Sequence, residues 1–112
     1  MPHRDWRLRV RDILHAVERL ENFTRGLTLE TFVQDERTIA AGSYELVVIG
    51  EAAKNVPPEI QETVSDVPWQ VMSDMRNVVA HGYFGVDLSI VWQTATTDVP
   101  KLGQPLRRLL GT

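Results

Sequence analysis

Apolar residues recur at steps of three and four along most of the chain, which is the spacing of one face of an α-helix. The first stripe predicts a helix over about residues 5–23, ended by Gly26. Thr28 then suits the N-cap of a short connecting helix over about residues 29–33. The positions of the first stripe are Trp6, Val10, Ile13, Leu14, Val17 and Leu20.

A second stripe predicts a long helix that starts at Asp35 and stops before the Pro57-Pro58 pair, because proline cannot continue a helix. Gly42 and Gly50 lie inside this helix, and each costs about 1 kcal/mol relative to alanine. We therefore expect another helix to pack closely against these glycines. The stripe comprises Ile39, Ser43, Leu46, Ile49, Ala53 and Val56.

A third helix is predicted after a short turn over residues 59–64, with capping residues and a first-turn proline in the segment 65–68. We expect it to stop near His81, since Gly82 suits the left-handed position that follows many helices. Its inward positions are Trp69, Met72, Met75, Val79 and Val78.

A final helix is predicted after the N-cap Asp87, with a kink at Pro100. Its apolar positions are Leu88, Val91, Ala95, Val99 and Leu102. No alternating pattern typical of a strand competes with these stripes. Four principal helices with short connections predict an all-α, up-and-down helical bundle, and 112 residues fit a single domain over residues 1–112.

The composition is that of an ordinary globular protein, with 43% apolar and 24% charged residues. No apolar run approaches the roughly 18 residues of a membrane span, the start lacks a secretory signal, and cysteine is absent. We expect a cytoplasmic protein with no membrane association.

The net charge of -3 argues against coating nucleic acid by bulk electrostatics, so any RNA contact must be local. The N-terminal arginines form either a solvated helix face or such a contact.

The segment MRNVVAHGYF, residues 75–84, concentrates the candidate chemistry. Arg76 and His81 are five positions apart, which places them about 140° apart around a regular helix. Asn77 and His81, four apart, share a face. A site that uses both Arg76 and His81 requires either unwinding at Gly82 or a two-fold dimer with a shared cleft, and we favour the dimer.

An imidazole that titrates near neutral pH can move protons, and a guanidinium can hold a phosphate by two hydrogen bonds. His81 and Arg76 together therefore suit RNA cleavage by attack of the ribose 2′-hydroxyl, in which no metal is required. On spacing alone, the same residues could equally cap helix carbonyls and interact with the helix dipole. Tyr83 is either a packing residue or an acceptor for a modifying group.

The order Arg76, four residues, His81, one residue, Tyr83 resembles the signature of the HepT-like toxins, the DUF86 proteins, of the HEPN superfamily. The similarity covers nearly the whole chain, with its parts in the order found in that family. The segments that carry it are DILHAVERLENFTRGLTLETFVQDERT, LVVIGEAAKNVPPEI, VPWQVMSDMRN, MRNVVAHGYFGVD and VDLSIVWQTATTDVPKL.

The resemblance implies an all-α HEPN bundle that forms a homodimer and acts as a metal-independent endoribonuclease without cofactors. It also implies a type VII HEPN/MNT toxin–antitoxin system, in which a nucleotidyltransferase antitoxin neutralises the toxin by AMPylation. By this resemblance Arg76 and His81 are catalytic, Asn77 is supporting and Tyr83 receives AMP. An AMP group there would add negative charge and bulk where substrate phosphate must lie.

The chain departs from the family pattern before ELVVIGEAAK. The family often has an Arg-Asn pair there, whereas this chain has Gly42-Ser43-Tyr44. Glu51 either faces the same cleft, lies on the helix surface as a solvated carboxylate, or forms a hydrogen bond across the bundle. Two further functions remain open: a HEPN module that binds RNA or a nucleotidyltransferase without cutting, and a plain helical interaction domain.

Overall fold

The computed structural model describes residues 5–83 and 87–111, except for the side chains of residues 80–83. Within these residues the chain is helical and contains no strand, which confirms the predicted all-α class. The α-helices are α1 (Trp6–Thr24), α2 (Leu29–Phe32), α3 (Glu36–Lys54), α4 (Pro58–Thr63), α5 (Trp69–Tyr83), α6 (Leu88–Gln93) and α7 (Gly103–Leu110).

Short polar contacts fix the ends of the first helices, much as predicted. The Asp5 carboxylate accepts a hydrogen bond from the backbone N–H of Arg7 at 2.9 Å and caps α1. After α1 the backbone turns through Gly26 at φ +80°, a conformation that glycine adopts without strain. Thr28 and Thr31 then form a reciprocal capping box at the start of α2.

Helix α3 lies at the centre of the bundle and packs against both α1 and α5. Its N-cap, Asp35, accepts hydrogen bonds from the backbone N–H and the hydroxyl of Thr38, at 3.0 and 2.7 Å. These bonds lower the pKa of Asp35 and favour its charged form. The largest fully buried side chains of the core are Phe32, Ile13, Leu20, Leu46, Ile49, Met72, Met75, Leu102, Leu106, Val10, Val17 and Val56.

The contact between α3 and α5 is closest at Gly50. A Cβ atom at this position would lie 3.0 Å from both Cβ and the backbone nitrogen of Arg76, and 3.1 Å from the carbonyl oxygen of Ser73. At Gly42 the corresponding Cβ would make an ordinary contact, 3.4 Å from Leu20. The predicted close packing is thus confirmed most clearly at Gly50, where it sets the position of Arg76 against α3.

The third helix runs two residues beyond His81, and the expected left-handed cap at Gly82 is wrong. Helix α5 continues through Gly82 and ends at Tyr83. Glycine permits the left-handed conformation but does not impose it, so Gly82 can also remain helical at a cost of about 1 kcal/mol. The loop residues 84–86 lie outside the described residues.

The last predicted helix is divided into four consecutive helical segments. After α6, residues Thr94–Asp98 form a π-helical turn, Val99–Leu102 a 3₁₀ turn, and α7 follows. Pro100 accounts for the change, because proline lacks an N–H and its ring clashes with the carbonyl four residues earlier. At the position of the predicted kink, the structure therefore shows a change of helix type. The chain also remains helical beyond the predicted apolar stripe, up to Gly111 at φ +80°.

A membrane-spanning helix requires a long and strongly apolar segment. No helix within residues 5–83 and 87–111 has that combination.

Candidate active site

Arg76 lies in the middle of α5 and faces α3. Its Nη1 atom donates a hydrogen bond to Oε1 of Glu51 at 2.8 Å, and its side chain is 32% exposed. The close approach at Gly50 fixes the backbone beside this ion pair. The guanidinium is thus held at one edge, and its remaining N–H groups are available to a phosphate.

Glu51 is the residue whose role the sequence left open. The hydrogen bond from Arg76 lowers the pKa of its carboxyl group, and the charges of Arg76 and Lys54 act in the same direction. A carboxylate with a lowered pKa holds a proton poorly near neutral pH, so it is a weak general base. The geometry therefore favours a role for Glu51 in orienting Arg76 over a role in proton transfer.

Asn77 and His81 share one side of α5, four residues apart on a continuous helix. The Asn77 side chain is exposed. The backbone of His81 and Tyr83 is helical, while their side chains lie outside the described residues. Because α5 does not unwind at Gly82, that route to bringing His81 beside Arg76 is excluded.

On this continuous helix, Arg76 and His81 remain about 140° apart around the axis. Arg76 and Tyr83, seven positions apart, return to nearly the same side, about two turns from each other. The structure therefore brings Arg76 together with Glu51, while the backbone position of residue 81 falls on another side of the same helix. The described residues contain no group of three or more histidine, aspartate or glutamate side chains arranged to hold a metal ion.

Sequence spacing could not identify the contact between Glu51 and Arg76. The two residues are 25 positions apart and lie on different helices. One available signal was Gly50, since a glycine inside a helix indicates close approach of a neighbouring element. That signal predicts where two helices meet, but it does not specify which residue of the second helix is involved.

Comparison with known proteins places the chain in one ribonuclease family. Residues 13–109 match the sequence model of the family described as ribonuclease HepT-like. A Thermococcus cleftensis protein named "Probable ribonuclease HepT" is 37% identical, over 96% of this chain and 94% of its own length. No solved structure matches the chain at a significant level.

Two further relatives carry names that describe them as candidate RNases. The protein of Caldanaerobacter subterraneus subsp. tengcongensis is 38% identical over 88% of each chain. One of several such proteins of Methanocaldococcus jannaschii is 34% identical over 98% of this chain and 91% of its own length.

Proposed function

Because the chain belongs to the ribonuclease HepT-like family, we propose that it is an endoribonuclease in which Arg76 and His81 act on RNA at a cleft shared by two copies of the chain. The match over residues 13–109 carries this proposal, since it includes all of α5. The partly exposed side chain of Arg76 supports it, because its guanidinium is anchored by Glu51 and remains accessible.

In the proposed reaction, the ribose 2′-oxygen attacks the adjacent phosphorus and the bond from phosphorus to the 5′-oxygen breaks. One imidazole removes the proton from the 2′-hydroxyl, and a second imidazolium protonates the departing 5′-oxygen. Arg76 stabilises the negative charge that develops on the phosphate. The products are a 2′,3′-cyclic phosphate and a 5′-hydroxyl, and the reaction requires no metal ion.

The proposal uses two copies of the chain because positions 76 and 81 lie on different sides of one continuous helix. A two-fold axis near the end of α5 would bring the arginine of one protomer towards the histidine of its partner. The shared cleft would then contain two imidazoles, one for each of the two proton transfers. Asn77, which is exposed on the side of His81, would orient the imidazole or the phosphate.

The proposal also includes control by modification of Tyr83, which the family resemblance implies. We propose that a nucleotidyltransferase antitoxin, as the partner in a HEPN/MNT toxin–antitoxin system, transfers AMP to it. The Tyr83 oxygen would attack the α-phosphorus of ATP and release pyrophosphate, with loss of the phenolic proton. Tyr83 lies on nearly the same side of α5 as Arg76, so the added phosphate and nucleoside would obstruct the cleft by charge and bulk.

The ribonuclease proposal is tested with the purified protein and total RNA in the presence of a chelator. We expect cleavage by the wild type and a loss of at least about 10²-fold in Arg76→Ala and in His81→Ala. Arg108→Ala is the matched control, because Arg108 is also an exposed arginine in an ion pair, with Asp66 at 3.1 Å. Equal cleavage by all variants would remove the proposal, and binding without cleavage would favour a non-catalytic HEPN module.

The modification is tested by intact mass after incubation with ATP and the nucleotidyltransferase encoded beside the gene. The mass should increase by AMP groups in the wild type and remain unchanged in Tyr83→Phe. Tyr44→Phe is the control, because the chain has two tyrosines. An increase that persists in Tyr83→Phe would assign the acceptor to another residue.

A further inference from the structure

A cavity of about 480 Å³ opens between α1 and α3, on a part of the surface that the proposed reaction does not use. Its volume lies in the range of sites for small organic molecules. Both helices contribute polar groups to its wall. The lining residues are Asp12, His15, Arg19, Tyr44, Glu45 and Val48.

Tyr44 gives this cavity an aromatic platform. Its side chain is 66% exposed, the largest exposed fraction among the large hydrophobic residues that the structure describes. Exposed aromatic rings beside a groove are a common means of binding single-stranded nucleic acid, because every base can stack on them.

Arg19 is held at the cavity by a buried carboxylate. Its Nη1 atom lies 3.4 Å from Oε1 of Glu45, whose side chain is 5% exposed, whereas that of Arg19 is 52% exposed. Burial raises the pKa of Glu45, and the charge of Arg19 opposes that effect. The guanidinium is therefore anchored on one side and open to solvent on the other.

The charges around the cavity are mixed. Asp12, His15 and Arg19 follow at intervals of three and four on one face of α1, and Glu45 adds a second carboxylate from α3. Two carboxylates beside one guanidinium disfavour the binding of a free phosphate ion, because their negative charges repel it. They provide acceptors for the amino groups of a base, while Arg19 and His15 provide donors for its ribose-phosphate.

The cavity is aligned with the candidate active site along α3. Tyr44, Val48 and Glu51 lie on one face of this helix at intervals of four and three. Tyr44 and Glu51 are separated by about 10 Å at 1.5 Å per residue. Since a stacked strand rises about 3.4 Å per nucleotide, this corresponds to roughly three nucleotides.

We propose that the cavity is a purine-binding subsite for RNA, in which the base stacks on Tyr44 and its ribose-phosphate contacts Arg19 and His15. Adenine and guanine have large stacking surfaces and exocyclic amino groups, which can donate hydrogen bonds to the carboxylates of Asp12 and Glu45, whereas uracil lacks the amino group. The subsite would select a purine a few nucleotides from the cleaved linkage. The role of the subsite in substrate choice rests on the proposed ribonuclease function. The binding of RNA to the subsite does not, because binding requires no cleavage.

The test measures binding of short 2′-O-methyl RNA, which cannot be cleaved because the nucleophilic hydroxyl is blocked. Fluorescence anisotropy compares an oligo-A strand with an oligo-U strand of equal length at fixed salt concentration. We expect the wild type to bind oligo-A about tenfold more tightly. Tyr44→Leu should lose that preference, whereas Tyr44→Phe should keep it because the ring is retained.

Val71→Ala serves as a surface control, because Val71 is 54% exposed on α5 and does not line this cavity. Equal affinity of the wild type for both strands would overturn the subsite, as would an unchanged preference in Tyr44→Leu. A change from dimer to monomer in Tyr44→Leu would also overturn it, by assigning Tyr44 to a protein contact.

The outcome is separable from that of the ribonuclease assay. A purine preference that depends on Tyr44 in a protein that does not cut RNA would support the subsite and remove only the nuclease. Cleavage by a wild type that shows no purine preference would remove only the subsite.

Discussion

Arg76 is the residue on which the chemical account depends, and its ion pair with Glu51 distinguishes it from a solvated surface arginine. The Arg-x4-His-x-Tyr spacing could be read from the sequence, since it lies within eight consecutive residues. The partner of Arg76 could not be identified from the sequence, because residues in contact between two helices have no fixed separation along the chain. A pair that is 25 positions apart becomes visible only when α3 and α5 are placed together.

Substitution of Glu51 tests whether it orients Arg76 or transfers a proton. If it orients the guanidinium, Glu51→Gln should keep most of the kcat because its amide oxygen can still accept the hydrogen bond. Glu51→Ala should lose about 10-fold or more, since small misplacements of a catalytic group are costly. Steady-state kinetics on a defined RNA would show this, and a Gln variant as inactive as the Ala variant would indicate proton transfer instead.

The pH dependence of stability provides a readout of the same pair that does not depend on activity. The pKa of Glu51 is lowered in the folded protein, so the folded state binds this proton less readily than the unfolded state. The stabilisation is present above the ordinary pKa of glutamate and is lost as the pH falls through the lowered value. Urea unfolding of the wild type and Glu51→Gln should therefore differ at neutral pH and converge in strong acid.

Helix α3 determines the arrangement of the bundle, because α1 and α5 pack on different sides of it. The apolar stripes predicted its existence, its core positions and the close approach at its glycines. They did not predict where α5 ends or how the chain continues after α6. Those features depend on Gly82 and Pro100, whose local preferences allow more than one helical geometry.

The two glycines of α3 make a matched pair for testing this packing. Gly50→Ala should destabilise the protein by about 1–2 kcal/mol, because the added methyl group would meet the backbone of α5. Gly42→Ala should be neutral or stabilising by up to about 1 kcal/mol, since it gains helix propensity and makes an ordinary contact with Leu20. Chemical denaturation measures both, and equal effects would contradict the close approach at Gly50.

Gly50→Ala should also lower RNA cleavage under conditions where the protein is folded. The backbone nitrogen and Cβ of Arg76 lie 3.0 Å from the position of the new methyl group, so that the guanidinium must shift. Gly42→Ala lies near Leu20 instead and should leave cleavage unchanged.

At the scale of the whole molecule, one bundle places Arg76 against α3, and position 81 falls about 140° from Arg76 around α5. The sequence predicted this divergence from the five-residue spacing, and the continuous α5 removes the option of local unwinding at Gly82. Exposed and buried positions could be assigned approximately from periodicity. A surface that contacts a second copy follows no such rule, because it has the same apolar character as other exposed patches.

A mixing experiment tests most directly whether Arg76 and His81 act together across a dimer interface. Arg76→Ala and His81→Ala proteins are inactive alone in this account. Unfolded and refolded together, they form mixed dimers that combine Arg76 of one protomer with His81 of its partner. Cleavage should rise clearly above that of either variant alone but stay below half of the wild-type rate, because about half of the dimers are mixed and each of these keeps one arginine and only one of the two imidazoles. A mixture that stays as inactive as either variant alone, beside an active refolded wild type, would contradict the shared cleft.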